Sequence, residues 1–273
     1  VDYTVRLYDL AHGVLLKTFY GHLAWVRGVA FSPNGKWLAS ASGDQTIKLW
    51  CVATGECLKT FAGHTSPVRS IAFHPTGKFL ASGSWDKTLK LWDVEQGTCL
   101  KTYQGHTGQV RQVIFSPDGR WLISGGQDCT VRRWHLESSE NCQILQGHTA
   151  AVEAIACSPN SAWIASASTD ATLRFWQIEN GMSFQQLPEQ IQHNSSLTFS
   201  PDHCWLAIGG ENETCILWKV QISDSPAPRS PVLEERYVLQ VARPYEGMLI
   251  TDVEALTEAQ RLTLQALGAS DDR

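Results

Sequence analysis

Residues 63–93 read GHTSPVRSIAFHPTGKFLASGSWDKTLKLWD, and the same frame recurs along the chain. Trp50, Trp92, Trp134, Trp176 and Trp218 stand 42 residues apart, and Tyr8 holds that register one period earlier. Gly21-His22, Gly63-His64, Gly105-His106 and Gly147-His148 keep the same spacing, as do the turn sequences FSPNG, FHPTG, FSPDG, CSPNS and FSPDH. Independent features that share one period mark a tandem supersecondary unit. Function must then be sought in what departs from the repeat.

Within one unit the pattern predicts four short strands. Val68, Ile71 and Phe73 are spaced three and then two, which breaks strict alternation and predicts a β-bulge. Pro75-Thr76-Gly77 turns the chain, Phe79–Gly83 is a second strand, and Ser84–Lys87 turns again. Thr88–Asp93 is a third strand, apolar on both faces, and Cys99–Tyr103 a fourth. A strand apolar on both faces must be covered on both. Four-stranded sheets stacked face to face around an axis meet that demand, which predicts an all-β propeller.

These residues resemble the WD-repeat family, with GH, a DxT turn and LW or LWD at constant spacing from Asp2 to about Val220. The resemblance implies a hydrogen-bonded tetrad bracing each blade. Residue by residue it gives His22-Ser40-Asp44-Trp50, His64-Ser82-Asp86-Trp92, His106-Ser124-Asp128-Trp134 and His148-Ser166-Asp170-Trp176. The fifth repeat departs, with Gln190, Ile208 and Asn212 in that register and only Trp218 kept. A Ser, His and Asp together invite a catalytic-triad reading. Four copies in identical register speak for bracing instead, since one enzyme needs one site.

The expected organisation is a propeller over 1–220, with a partial blade at 1–20 and repeats at 21–62, 63–104, 105–146, 147–188 and 189–220. Val1 precedes Asp2, which holds the turn-Asp register, so the sequence opens within a blade. The family most often closes with seven blades, and seven units of 42 residues exceed the whole chain. That implies part of a seven-bladed ring in a longer protein. The alternative is a five-bladed ring in which Leu15–Phe19 serves as the missing fourth strand of the last repeat. An open arc would expose sheet edges and self-associate.

After Val220 a Pro/Ser linker is expected over 221–235, then a tail over 236–273. Tyr237–Val241 is the only later stretch that reads as a strand, and Thr257-Glu258-Ala259-Gln260 forms a capping box that opens a short helix at about 258–267. Residues 243–269, RPYEGMLITDVEALTEAQRLTLQALGA, resemble the closing segment of large cyanobacterial WD-repeat proteins, many with an upstream NACHT or NB-ARC module. That resemblance implies the sensor end of a signalling ATPase.

Composition narrows the partner. A net charge of −5 without any block of Lys or Arg argues against nucleic acid and anionic membrane. No apolar run approaches the roughly 20 residues of a membrane helix. The cysteines at 51, 57, 99, 129, 142, 157, 204 and 215 show no CxxC and read as buried free thiols of a reducing cytoplasm. HExxH, a phosphate-cradling GxxxxGK[ST] and zinc spacing are all missing, so no cofactor or metal is expected. His74, His135 and His203 read as isolated surface or turn residues.

Three functions remain open. A non-catalytic interaction or ligand-sensing platform needs only exceptions to the period on its surface. An enzyme or metal-binding propeller would need an axial site, for which Glu153, His193 and Glu211 are the candidates. A structural spacer predicts an undecorated surface. Nine of the eleven tryptophans are periodic, in the Trp50 series or in a second series of Trp37, Trp121, Trp163 and Trp205 with Phe79 in its remaining slot. Trp25 and Trp85 belong to neither. Arg27, Arg69 and Arg111 share one register, followed there by Glu153 and Ser195, and Gln109 and Gln127 lie nearby. Exposed Trp and Arg are frequent binding hot spots. The expected site is therefore Trp25, Arg27, Arg69, Trp85, Gln109, Arg111 and Gln127, taking a protein or peptide that is acidic or aromatic.

Overall fold

Branched and aromatic residues fill the stretches between the Pro, Gly and Asp turns, and such residues favour extended backbone on a pleated surface. The computed structural model describes residues 2–136, 142–188, 194–202, 204–210, 214–221 and 232–240, and among them every regular element is a β-strand. A hairpin of β1 (Val5–Asp9) and β2 (Val14–Phe19) comes first. Five four-stranded antiparallel sheets follow. The first holds β3 (Val26–Phe31), β4 (Trp37–Ser42), β5 (Ile47–Cys51) and β6 (Cys57–Phe61). The second holds β7 (Val68–Phe73), β8 (Phe79–Ser84), β9 (Leu89–Asp93) and β10 (Cys99–Tyr103). The third holds β11 (Val110–Phe115), β12 (Trp121–Gly126), β13 (Val131–His135) and β14 (Cys142–Leu145). The fourth holds β15 (Val152–Cys157), β16 (Trp163–Ser168), β17 (Thr172–Gln177) and β18 (Ser183–Pro188). The fifth holds β19 (Asn194–Phe199), β20 (Trp205–Gly210), β21 (Thr214–Gln221) and β22 (Val232–Gln240).

The fifth sheet corrects the expected partial repeat ending at 220. Its fourth strand comes from beyond the Pro/Ser stretch, because β22 pairs along β21 from Thr214↔Gln240 to Gln221↔Val232. That strand starts at Val232, inside the expected linker 221–235, and it takes in residues 237–240 of the expected strand Tyr237–Val241, which began too late. The pairing also excludes Leu15–Phe19 as the fourth strand there, since β2 pairs with β1. Lengthening a connection costs little closure entropy, so a delayed fourth strand still reaches its ladder. The expected helix at 258–267, with residues 243–269, lies outside the described residues.

The first strands of the sheets, β3, β7, β11, β15 and β19, lie beside one another in succession and form the inner wall. Every apolar cluster forms between neighbouring sheets. Ala39, Ala41, Ile47, Leu49 and Phe61 of the first sheet meet Val68, Ile71, Leu80 and Trp92 of the second. The small residues on β4 let the next sheet approach, and each large side chain removed from water contributes about 1.5–3 kcal/mol. Inner-strand residues Ile71, Val113, Ile155 and Leu197 are all buried this way. Their counterpart in the first sheet, Val29, is 54% exposed, and Phe31 is 52% exposed. The β1–β2 hairpin packs Val5 and Phe19 on Leu38 and Trp50 of that sheet, with Val26 at the start of β3 alongside, and leaves Val29 and Phe31 exposed.

Polar side chains add ties between sheets. His74, expected at the surface, is instead buried. Its Nε2–H donates to the Gly119 carbonyl of the third sheet at 3.0 Å, while Nδ1 takes the Thr76 hydroxyl at 2.8 Å. Its ring meets Phe79 and Phe115 edge-on. His135 is half-buried, edge-on to Trp121 at 4.8 Å, and His203 falls outside the described residues. The cysteines are all free, yet none is fully buried, and Cys57, Cys99 and Cys204 are exposed. Cys57 and Cys99 sit on the outermost strands, where no neighbouring sheet covers them.

One proton-ordered chain runs through the first four sheets. In the second, the Trp92 indole N–H donates to Ser82 Oγ at 2.8 Å, the Ser82 hydroxyl donates to His64 Nε2 at 2.7 Å, and His64 Nδ1–H donates to Asp86 at 2.7 Å. The other three sheets repeat it through Trp50-Ser40-His22-Asp44, Trp134-Ser124-His106-Asp128 and Trp176-Ser166-His148-Asp170. Each carboxylate also holds its own turn: Asp86 accepts from Thr88 N–H at 2.9 Å, Thr88 Oγ1 at 2.6 Å and Thr65 N–H at 3.1 Å. The residue inside the turn, Gln45, Lys87, Cys129 or Ala171, has a left-handed φ of 59° to 71°. Non-glycine residues adopt that conformation at a cost, which the bonds to Asp and Thr offset.

Burial acts first on the aspartates and would raise their pKa, but the Thr hydroxyl, backbone N–H and His donors outweigh it and hold Asp44 and Asp170 down to about 2. Burial likewise lowers the pKa of His22 and His148, against the pull of their aspartates.

Three outcomes follow. Removing the ring in His64→Ala strands a buried serine hydroxyl and a carboxylate, so urea melts should show a loss of about 1–3 kcal/mol. Stability should also fall in two stages on acidification. The unfolded chain takes up protons as pH falls through 6.5 while the buried His22 and His148 rings resist, so it binds more protons and gains. The aspartate contribution is full above 3.8 and is lost as pH falls toward 2, visible as a second drop in the urea midpoint. The fifth sheet, with Ile208 in the serine register, should exchange its amide hydrogens faster over 195–218 than the second does over 67–92. Equal rates would contradict a bracing role for the chain.

Candidate partner-binding surface

The bulge read from Val68, Ile71 and Phe73 lies at the start of every inner strand. Pairing skips from Val26 to Gly28, Val68 to Ser70, Val110 to Gln112, Val152 to Ala154 and Asn194 to Ser196. The skipped residues are Arg27, Arg69, Arg111, Glu153 and Ser195. A bulge leaves one residue out of the ladder and re-aims its side chain. The Arg register is thus the register that the sheets leave unpaired.

Beside each bulge a backbone bond joins the turn to the strand start. Gly43 N–H reaches the Trp25 carbonyl, Trp85 N–H that of Pro67, Gln127 N–H that of Gln109 and Thr169 N–H that of Ala151, all at 2.8–3.0 Å. Four identical backbone bonds carry eight mostly different side chains. Position is held constant there while chemistry is free to vary.

The first two sheets use that freedom to build a stack. The Arg27 guanidinium carbon lies 4.5 Å from the Trp85 ring centroid and 5.4 Å from that of Trp25. Trp25 is 53% exposed. Trp85 is half-buried, and its indole nitrogen is enclosed without a hydrogen-bond partner, as is Arg27 Nε. Arg27 has its pKa lowered, first by burial and then by the charges of Arg69 and Arg111. Trp25, Arg27 and Arg69 wall one cleft with Asp2, Tyr3 and Thr4. Arg27, Arg69, Arg111 and Glu153 share the adjoining concavity along the inner strands.

Three expected members take no part in the stack. Arg111 is engaged by Glu153, with Nε to Oε1 at 3.2 Å, close enough for charge pairing though not aligned as a hydrogen bond. Gln109 and Gln127 are joined to each other through the backbone in the third sheet. Of the axial trio considered for an enzyme, Glu153 pairs with Arg111 in the inner concavity, and His193 and Glu211 lie outside the described residues. Among the described residues no three His, Cys, Asp or Glu side chains gather as a metal would require, and no helix is long and apolar enough to cross a membrane.

Arg133 escaped the sequence reading. It is buried, with its guanidinium 4.0 Å over Trp121 and Nε and Nη1 unpartnered. The signal was present: VRRWH sets an arginine where the other sheets have Leu49, Leu91 and Phe175.

Residues 13–51, 55–93, 97–135, 139–177 and 188–219 match the family described as WD domain, G-beta repeat. Over 39 residues, 14% of this chain, the sequence is 59% identical to Nuclear distribution protein PAC1 of Mycosarcoma maydis, covering 9% of that protein. A stretch of 44 residues, 16% of this chain, is 52% identical to the protein of the same name from Tuber melanosporum, covering 10% of it. Nuclear distribution protein nudF of Emericella nidulans is 50% identical over 44 residues, again 16% of this chain and 10% of the relative. The chain thus spans about a tenth of the length of these relatives, roughly one repeat unit.

Proposed function

The chain belongs to the WD domain, G-beta repeat family, and from that premise we propose that it is a non-catalytic interaction scaffold whose partner docks around Trp25, Arg27 and Trp85. WD40 domains typically serve as protein-interaction scaffolds that bind proteins or peptides. The observation that carries the reading is the stack itself: a half-exposed indole and a guanidinium held between two rings, on a bulge that the sheets do not use. Tryptophan and arginine combine large contact area with directed polar groups, so few residues supply much of the binding energy. A spacer has no use for a stacked, unpaired guanidinium at its rim.

The reading extends to the parent protein. The exposed Val29 and Phe31, against four buried counterparts of Val29, support an arc of a larger, seven-bladed ring, and an isolated arc would self-associate through them. Repeat boundaries at 21–62, 63–104, 105–146, 147–188 and from 189 onward, together with the tail resemblance, support the C-terminal sensor part of a bacterial signalling protein. Free cysteines throughout fit a reducing cytoplasm.

The test is an affinity capture with the intact parent protein, read by mass spectrometry. Trp25→Ala alone should leave the melting curve in place, because that indole is half in water already. Trp25→Ala with Trp85→Ala should abolish partner retention and cost about 1–2 kcal/mol, since Trp85 is half-buried. Retention of the same proteins by the folded double variant would overturn the site.

A further inference from the structure

We infer that Arg27 and Arg69 form an anion-accepting pair that takes one carboxylate side chain of an acidic partner segment. The inference rests on the docking face just proposed and names the group recognised there.

Three guanidiniums occupy successive bulges and crowd one another closely enough to interact. Among the described residues one acid answers them: Glu153, in the next bulge, pairs with Arg111. Asp2, on the wall of the same cleft, is paired with Arg6. Neither Arg27 nor Arg69 meets a carboxylate among the described residues. Like charges placed side by side repel, and an anion seated between them turns that repulsion into attraction. Geometry prepares the pair for such a guest. Both indoles pack against the Arg27 guanidinium, which fixes its plane and leaves its outer edge for hydrogen bonds. A fixed planar fork loses little entropy when it binds a carboxylate.

Desolvation, with Glu153, decides which anion suits the pair. The Glu153 carboxylate stands one register beyond Arg111 in the same concavity and already offsets part of its positive charge. A phosphate dianion is drawn by the arginines and repelled by Glu153 about twice as strongly as a carboxylate, but the cost of stripping its water rises roughly with the square of its charge. A peptide Glu or Asp is therefore the favoured occupant, and Trp25 offers an apolar wall for the residue beside it.

The experiment uses the full chain and fluorescence anisotropy. The probes are a short labelled peptide of alternating Glu and Phe, its Gln-for-Glu counterpart, and a phosphoserine-for-Glu counterpart. The parent chain should bind the Glu peptide at least about ten-fold more tightly than the Gln peptide, as expected for a charged hydrogen bond. Arg27→Gln and Arg69→Gln should each erase that preference, and Arg27→Lys should recover it only in part. Glu153→Gln, which releases Arg111 without touching the stack, should tighten the Glu peptide several-fold and keeps the test decisive if an arginine variant misfolds. Equal binding of the Glu and Gln peptides, preference for phosphoserine, indifference to both arginine substitutions, or no binding would overturn the pair. If the Gln peptide binds as well as the Glu peptide and Trp25→Ala weakens it, the docking face stands and the anion pair alone falls.

Discussion

A serine hydroxyl at the centre of each of the first four sheets sets the terms for the rest. Ser82 accepts the indole proton of Trp92 on the third strand and donates to His64, which leads the chain into the first strand. His64 passes the order on to Asp86 in the turn between the second and third strands. Three strands and a turn are fixed by a row of protons that points only one way. Because every donor and acceptor in the row is matched, its burial stabilises the sheet, and a single unmatched member would reverse the sign. The same row holds a left-handed residue in the DxT turn, so the turn face has one backbone shape in four sheets.

That constancy makes the surface readable. Where backbone is common to four sheets, a side chain that differs was not chosen for the fold. Trp25 and Pro67, or Gly43 and Trp85, occupy equivalent positions on one backbone bond. The indoles of the first two sheets lie in staggered slots, one at a strand start and one in a turn, and Arg27 fits between them. The bulge contributes the other half of the device, since a residue left out of the ladder escapes the alternation that fixes where paired side chains point. Fold and candidate site are joined through the same structural irregularity.

Much of this was legible in the sequence because repetition averages out ambiguity. Strand positions in the second unit and the bulge after Val68 could be read from one period of spacing, while the partners of His22, His64, His106 and His148 came with the WD-repeat resemblance. What stayed hidden depends on contacts between units. His74 was read as an isolated turn residue, but its ring is closed in by Phe115 and Gly119 of the next sheet. The pairing of Arg111 with Glu153 crosses sheets in the same way, and spacing within a unit says nothing about it. The late strand β22 was hidden for another reason. Its register is set by the ladder of β21, which is indifferent to how long a loop precedes it.

The two stacked arginines show how far environment decides what a residue type does. Arg133 and Arg27 both lie against tryptophan, at 4.0 Å and 4.5 Å. Arg133 takes the place of a core leucine inside a sheet interface, and burial lowers its pKa with only the nearby Glu179 charge opposing. Its ring contact replaces solvent on one face, and its Nε and Nη1 are enclosed without hydrogen-bond partners. Arg27 stands on a bulge at the mouth of a cleft, where the stack holds the guanidinium plane while its edge stays within reach. Stacking alone therefore marks rigidity, not recognition. Rigidity can serve recognition only where the charge is also left unanswered, and among the described residues the Arg27 guanidinium is stacked at a cleft without a carboxylate on it.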